Sequence, residues 1–253
     1  MQSKILSLLQ DPQTHSGLEL IADGLKNETT GRIYPIRDGI PVFLDTISGL
    51  NLKYQAMYDK LALGYDFAES AYLFITRKPN YRLEFIPELE IASGARVLEV
   101  SVGTGGNMKF LPEKIDFFGL DLSWGMLKKC AAKLKKNGRA TNLFQGEAER
   151  LPFRDATFDC VFHVGGINFF NDKSLAIREM IRVARPGTKI VIVDETEEAV
   201  RELYQRNPLT RRYYEQGTEN VACPIDLIPE EMTEIKAREI VNGKVYCLTF
   251  RKP

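Results

Sequence analysis

The sequence predicts an α/β fold: a mainly parallel sheet with helices on both faces, closed by a C-terminal antiparallel hairpin and preceded by a small β-rich unit. Three observations carry this. From residue 96 onward, short apolar runs alternate with segments of helical periodicity. The run Val97-Leu98-Glu99-Val100 breaks into a glycine turn at Gly103, Gly105 and Gly106, where missing Cβ atoms let the chain turn sharply and let a ligand approach the backbone. Asn242-Gly243 stands between two strand-like stretches, a strong hairpin signal.

Strands are expected near 96–101, 116–121, 141–146, 158–164 and 189–195. Ser123 suits the N-cap of a helix over 124–136, with Gly138 as its stop. Asp172 suits the cap of a helix over 173–184, with Pro186-Gly187 beyond its end. Met232–Asn242 and Lys244–Lys252 form the closing hairpin. Residues 196–231 are the least regular part. They form either a substrate-side insertion, with Tyr204 and Tyr213 facing an acceptor, or a solvated helical connection. Ahead of the sheet, 46–95 have a helical texture, and 1–45 show short strands at Gly17–Leu20, Gly31–Ile36 and Asp38–Leu44.

The 253 residues suit one α/β domain with an appendage. Lys+Arg and Asp+Glu both number 34, so the formal net charge is zero. Nucleic-acid binders carry a basic excess or stripe. The nearest approach here is Lys128, Lys129, Lys133, Lys135, Lys136 and Arg139, the solvated face of a helix whose apolar face is Met126, Leu127, Cys130, Ala131 and Leu134. That balance weighs against a nucleic-acid partner. Cys130, Cys160, Cys223 and Cys247 form no C-x-x-C pair, which argues against a metal site and for free thiols in a reducing compartment. No basic start with an apolar run and no membrane-length apolar stretch is present, so the expected location is cytoplasmic.

The glycine turn also indicates a ligand. Asp121 ends the second strand about 20 residues past the turn, a position suited to a ribose diol. A dinucleotide site wants a third glycine where Met108 stands, and Glu99 just ahead of the turn repels a pyrophosphate. S-adenosylmethionine offers a ribose, an ammonium and a sulfonium without phosphate. The charges therefore favour it over NAD.

Successive motifs resemble those of the class I S-adenosylmethionine-dependent methyltransferases. Glu99–Gly105 resembles their first motif, Asp121 their ribose-binding acid, and Gln145–Phe153 (QGEAERLPF) their adenine segment. Phe158–Val164 resembles their fourth strand, and Arg182–Gly187 followed by Lys189–Val193 their turn into the fifth. The resemblance runs over roughly 54–253 and implies a Rossmann-like seven-stranded sheet. It implies a cofactor site of Glu99, Ser101, Gly103, Thr104, Gly105, Asn107, Asp121, Leu122, Met126, Glu147, Ala148, His163 and Gly165. Ser101 departs from the family pattern, which has glycine there. The segment Tyr54–Asp66 resembles the lid of quinone-type members, with Tyr58 and Tyr65 covering the methionine part of the cofactor or else merely docking the helix. Residues 1–45 resemble the zinc-ribbon-like Trm112 unit. Asp11, Thr14, Asn27 and Thr30 occupy its four thiolate positions, so a metal-free remnant packed on the main domain is expected. The implied division is 1–45, a 46–95 lid and linker, and a 96–253 catalytic domain with the 196–231 insertion.

Methyl transfer needs alignment and the exclusion of water, and a base only where the acceptor sheds a proton. His163, just past the fourth strand, is the candidate base; alternatively it contacts the cofactor or caps the strand end. Phe169 and Phe170 follow two glycines and either wall an apolar acceptor pocket or pack into the core. The expected activity is C- or O-methylation of a small, partly apolar molecule, yielding S-adenosylhomocysteine. An RNA base methyltransferase and a non-catalytic cofactor-binding partner protein are the alternatives.

Overall fold

The computed structural model describes residues 3–67, 80–206 and 221–253, without the side chains of 203–206. Strands β5 (Arg96–Val100), β6 (Asp116–Asp121), β7 (Asn142–Gln145), β8 (Cys160–Val164), β9 (Lys189–Glu195), β10 (Thr233–Ile240) and β11 (Val245–Arg251) form a seven-stranded sheet in the order β10-β11-β9-β8-β5-β6-β7. The five strands from β9 to β7 are parallel, and β11 and β10 are antiparallel additions. The expected strands and closing hairpin are thus present. The parallel strands are buried on both faces, which is why Val97, Leu98, Val161, Phe162 and Ile190–Val193 form near-continuous apolar runs.

Helix α4 (Trp124–Lys136) begins at Ser123, whose hydroxyl accepts from the Met126 N–H, and α5 (Lys173–Val183) begins at Asp172, whose carboxylate accepts from the Leu175 N–H. Helix α2 (Gly49–Leu61) and the short α3 (Arg82–Phe85) precede the sheet, and α6 (Glu197–Arg206) comes after β9. Chain order reverses at β5, which has β6 on one side and β8 on the other. A crevice opens at that switch point, beyond the carboxyl ends of the strands.

The N-terminal unit has a short helix α1 (Ser3–Leu6) and an antiparallel sheet of β1 (Leu18–Ile21), β2 (Gly24–Asn27), β3 (Ile33–Arg37) and β4 (Ile40–Pro41). Strand β2 is absent from the sequence reading, which places Asn27 at a thiolate position and assigns no strand there. The unit seals the β7 edge of the large sheet: the Phe43 N–H donates to Gln145 O at 2.7 Å, and Val42 pairs in parallel with Gln145. Its Leu9, Leu25, Tyr34 and Phe43 share one apolar core with Phe118, Phe144 and Phe153.

At the two turns where a metal cage would need four thiolates stands a hydrogen-bonded knot. Asp11 Oδ1 accepts from the Gln13 and Thr14 N–H groups at 2.8 and 2.9 Å, and Oδ2 from Asn27 Nδ2 and, at 2.8 Å, the Tyr34 hydroxyl. Asn27 Oδ1 accepts from the Thr29 and Thr30 N–H groups, both at 2.8 Å, and Nδ2 also donates to Thr14 Oγ1 at 3.0 Å. Asp11 and Asn27 are 1% and 0% exposed, so this pair ties the two turns together inside the unit.

Burial alone raises the Asp11 pKa, but the bonds from Asn27, Thr14, Gln13 and Tyr34 outweigh it and the net shift is downward. The carboxylate's contribution to stability is therefore full above the ordinary carboxylate range and fades as pH falls through its lowered value. Asp11→Ala strands several buried donors and is expected to cost about 2 kcal/mol or more in a denaturant melt at neutral pH, a difference that shrinks in acid. An unchanged midpoint would refute the knot as the unit's tie.

Candidate cofactor cleft

A cleft of about 1100 Å³, open mouth included, lies at the switch point. Its floor is the end of β5 and the glycine turn. Glu99, next to last in β5 and 1% exposed, accepts from Asn107 Nδ2 at 2.6 Å through Oε1, and Arg82 Nε donates to Asn107 Oδ1. Glu99 Oε2 is buried with no hydrogen-bond partner among the described residues. Burial pushes the Glu99 carboxyl up to about 8, against the pull of Asn107 and Arg82. Its second oxygen is an acceptor waiting for a cationic donor.

Ser101 has φ of +60°, in the left-handed region that disfavours a Cβ, at about 1 kcal/mol for an L-residue. This is the position where the resemblance has glycine, and the serine side chain borders the cleft. Gly103 (φ +54°) also borders it, and an added Cβ there would meet nothing within 4 Å. The space above the turn is a cradle for a ligand. Asp121, at the tip of β6, accepts from the Gly103 N–H at 2.7 Å and the Ser123 N–H at 2.8 Å. Burial, only partly offset by those bonds, raises its carboxyl to about 6.

Helix α2 lies along the cleft, held by polar residues one turn apart. Asn51 Nδ2 donates to Glu147 Oε1 at 2.9 Å, Gln55 Nε2 to Leu122 O at 3.1 Å, and Asp59 Oδ1 accepts from Ser123 Oγ and the Gly125 N–H. Past the helix, Asp66 Oδ1 accepts from Thr104 Oγ1 at 2.6 Å and Lys133 Nζ at 2.7 Å. The segment is thereby latched to the glycine turn, and Tyr58 and Tyr65 border the cleft.

Of the residues singled out from sequence, Glu99, Ser101, Gly103, Thr104, Asn107, Asp121, Leu122, Met126, Glu147, Ala148, Gly165, Phe169 and Phe170 also border it. Phe169 stacks on Tyr54 with centroids 4.2 Å apart. Gly105 does not: a Cβ there would lie 2.9 Å from Cys130 Sγ, so its glycine serves the packing of α4, and Gly106 borders the cleft. Tyr213 and the side chain of Tyr204 lie outside the described residues.

His163 is the clear correction. It is 0% exposed and does not border the cleft. Nε2 accepts from the Ile167 N–H at 3.0 Å, which leaves the proton on Nδ1 to donate to Val100 O at 3.0 Å. Burial lowers its pKa to about 4, so the ring is neutral with both nitrogens engaged. It staples β8 to β5 and can neither take an acceptor's proton nor touch a cofactor. Sequence reasoning missed Asn51, Gln55, Arg82 and Glu195. The spacing of Asn51, Gln55 and Asp59, four apart on one helix face, is the signal that marks the first two.

Residues 98–192 match the methyltransferase domain family. This segment, from β5 to β9, is a methyltransferase domain of the class I S-adenosylmethionine-dependent kind. A demethylmenaquinone methyltransferase of Lactiplantibacillus plantarum is 30% identical over 149 residues, 56% of this chain and 62% of its own. A phthiotriol/phenolphthiotriol dimycocerosates methyltransferase of Mycobacterium ulcerans is 36% identical over 105 residues, 40% and 38% of the two chains. A solved phosphoethanolamine N-methyltransferase of Haemonchus contortus shares the fold, with a TM-score of 0.59 and 15% identity over 84% of this chain and 62% of that one. The chain spans about three fifths of the length of the first relatives it matches, 62%, 57% and 65%.

S-adenosylmethionine is the cofactor of this methyltransferase domain, and the cleft fits it. The open cradle at Gly103, the unpartnered oxygen of Glu99 and the carboxylate of Asp121 match a ligand with a cationic amino acid end and a sugar diol.

His163→Leu leaves Val100 O and the Ile167 N–H without partners, an expected loss of about 2–4 kcal/mol by denaturant unfolding. Cofactor affinity measured by calorimetry is expected to stay within a few-fold. In the parent protein the neutral ring contributes stability fully above about 6.5, lost as pH falls through about 4, and the variant lacks that acid limb. A large loss of cofactor affinity in folded His163→Leu would restore the ring to the site.

Proposed function

We propose that the protein transfers a methyl group from S-adenosylmethionine to a small, partly apolar acceptor, on carbon or oxygen. The observation that carries this is Glu99 Oε2, a buried acceptor atom on the floor of the cleft with no partner among the described residues. A buried carboxylate needs a cation or a proton, and an α-ammonium supplies the first. When bound, the cofactor supplies an electrophilic methyl group on a sulfonium.

The chain's own residues do the rest. Glu99, oriented by Asn107 and Arg82, would hold the amino acid end, and Asp121, oriented by the Gly103 and Ser123 N–H groups, would hold the ribose diol. Glu147 and Ala148 would border the adenine. Helix α2 and the segment after it would close one side and shed water, with Tyr58 and Tyr65 toward the reacting end. Phe169 and Phe170, beside the Gly165-Gly166 corner, offer the acceptor an apolar wall. The quinone and lipid acceptors in the names of the relatives support an apolar acceptor here. The net charge of zero supports a small molecule rather than RNA.

Calorimetric titration with S-adenosylmethionine tests the reading. Because burial pushes the Glu99 carboxyl up to about 8, binding of a cation at neutral pH should release most of one proton, and affinity should rise with pH up to that value. Titrations in buffers of different ionisation enthalpy report the proton. Glu99→Gln is expected to abolish the release and weaken binding about tenfold or more, and Asp121→Ala about 10- to 100-fold. No binding by the parent protein, or NAD binding in its place, would overturn the proposal.

A further inference from the structure

The lysine-rich face of α4 takes no part in the cleft. Trp124–Lys136 carries five lysines, Lys128, Lys129, Lys133, Lys135 and Lys136, and no acid. Its buried side holds Met126, Leu127, Cys130 and Leu134, so the lysines look outward, and Lys128, Lys135 and Lys136 are fully on the surface. Lys60 stands in the last turn of α2, the helix that packs on the start of α4. Across 59–67 and 124–136 six lysines stand against two acids, Asp59 and Asp66. Both acids are engaged, Asp59 by Ser123 Oγ and the Gly125 N–H, and Asp66 by Thr104 Oγ1 and Lys133 Nζ. The chain as a whole is neutral, so this is positive charge gathered on one face.

The chain that follows α2 runs along this face. A Cβ on Gly125 would lie 3.1 Å from the Ala62 Cβ, and two turns further along α4 Lys133 Nζ reaches Asp66 Oδ1 at 2.7 Å. Ala62 is buried, and Asp66 also feels Lys129. With Ala62 and Asp66 turned to the helix, Leu63 and Phe67 stand out at 83% and 80% exposed, the two most exposed large apolar side chains among the described residues. Leu61 is exposed beside them. One exposed leucine is ordinary, but a leucine and a phenylalanine four residues apart, both open to water next to a row of lysines, mark a contact surface. Tyr65, between the two, borders the cleft.

From this placement we infer that Leu63, Phe67 and the lysines of α4 form a docking surface for an anionic lipid bilayer. Charge complementarity names the occupant. Apolar side chains seat below the headgroups while lysines beside them meet lipid phosphates. A second copy of this chain meeting the same patch would set lysines against lysines. A nucleic acid would satisfy the lysines and leave Leu61 and Leu63 in water. Docking brings Tyr65, and with it the rim of the cleft, to the headgroup layer. An apolar acceptor held in the acyl layer would then reach the cleft without crossing water. The surface goes beyond the proposed methyl transfer and does not depend on it.

Co-sedimentation of the full chain with extruded vesicles tests this, phosphatidylcholine alone against phosphatidylcholine with about one third phosphatidylglycerol. The parent protein should bind the mixed vesicles about tenfold or more tighter, and about 0.5 M salt should remove most of that preference. Leu63→Ser with Phe67→Ser should weaken binding to the mixed vesicles about tenfold or more. Lys128→Gln with Lys135→Gln and Lys136→Gln should bring it down to the level of the neutral vesicles. All five side chains are exposed, so the denaturant midpoint of both variants should stay at the parent value. Lys26→Gln, exposed on the small sheet, should change nothing. Failure of the parent to sediment with the mixed vesicles, equal binding to both compositions, or binding untouched by the Leu63 and Phe67 changes would overturn the surface. So would retention on a single-stranded RNA oligomer, or a dimer in sedimentation velocity that Phe67→Ser abolishes, in place of vesicle binding. The vesicle assay needs no cofactor, so a failed titration with S-adenosylmethionine sinks the methyl-transfer reading alone.

Discussion

A buried ionisable group near the carboxyl end of the central parallel strand is the constraint around which this molecule is arranged. Glu99 sits among strands whose neighbours are almost all valine, leucine, isoleucine and phenylalanine, and the cost of an unpaired charge there is severe. The chain answers with half a solution. Asn107, itself held by Arg82, bonds one carboxylate oxygen, and the other is left to a visitor. The glycine turn, the strained Ser101 and the return of the chain toward Asp121 all follow from keeping that oxygen reachable while the strand stays in the sheet.

The large sheet was legible because each parallel strand is short, apolar on both faces and bounded by a cap or a glycine. Ser123 and Asp172 mark their helices through hydrogen bonds that depend only on local sequence. Most of the cleft was legible for the same reason: its residues sit at strand ends, where a switch from apolar to acidic shows. The failures are tertiary. His163 lies at a strand end too, yet its ring turns inward to bridge two strands, a choice made by partners at Val100 and Ile167 that spacing does not reveal. Glu195 escaped notice because an acid after an apolar strand is ordinary, and only the fold brings Gly166 and Asn168 onto its neighbour. Strand β2 was hidden because Gly24-Leu25-Lys26-Asn27 lacks β-branched residues and is held by its pairing with β1 and β3.

Position along the sheet separates the chemistry. The β5–β6–β7 half presents acids suited to a polar, cationic ligand, and the β8–β9 half presents glycine, phenylalanine and one carboxyl. Helix α2 spans the two: Asn51 reaches Glu147, while Tyr54 stacks on Phe169. A shift of this one helix therefore changes both halves together. The small N-terminal sheet reaches the same region from behind, through the Phe43 bond to the strand that leads into Glu147.

The knot at Asp11 and Asn27 has a consequence at the level of the cell. Thiolate–metal cages bind two turns tightly, but they release their ion to chelators and their sulfurs to peroxide. A carboxylate clasped by an amide, a phenol and backbone N–H groups has nothing to oxidise and no ion to lose. The support behind the Glu147 side of the cleft thus rests on oxygen and nitrogen groups that neither a chelator nor peroxide attacks.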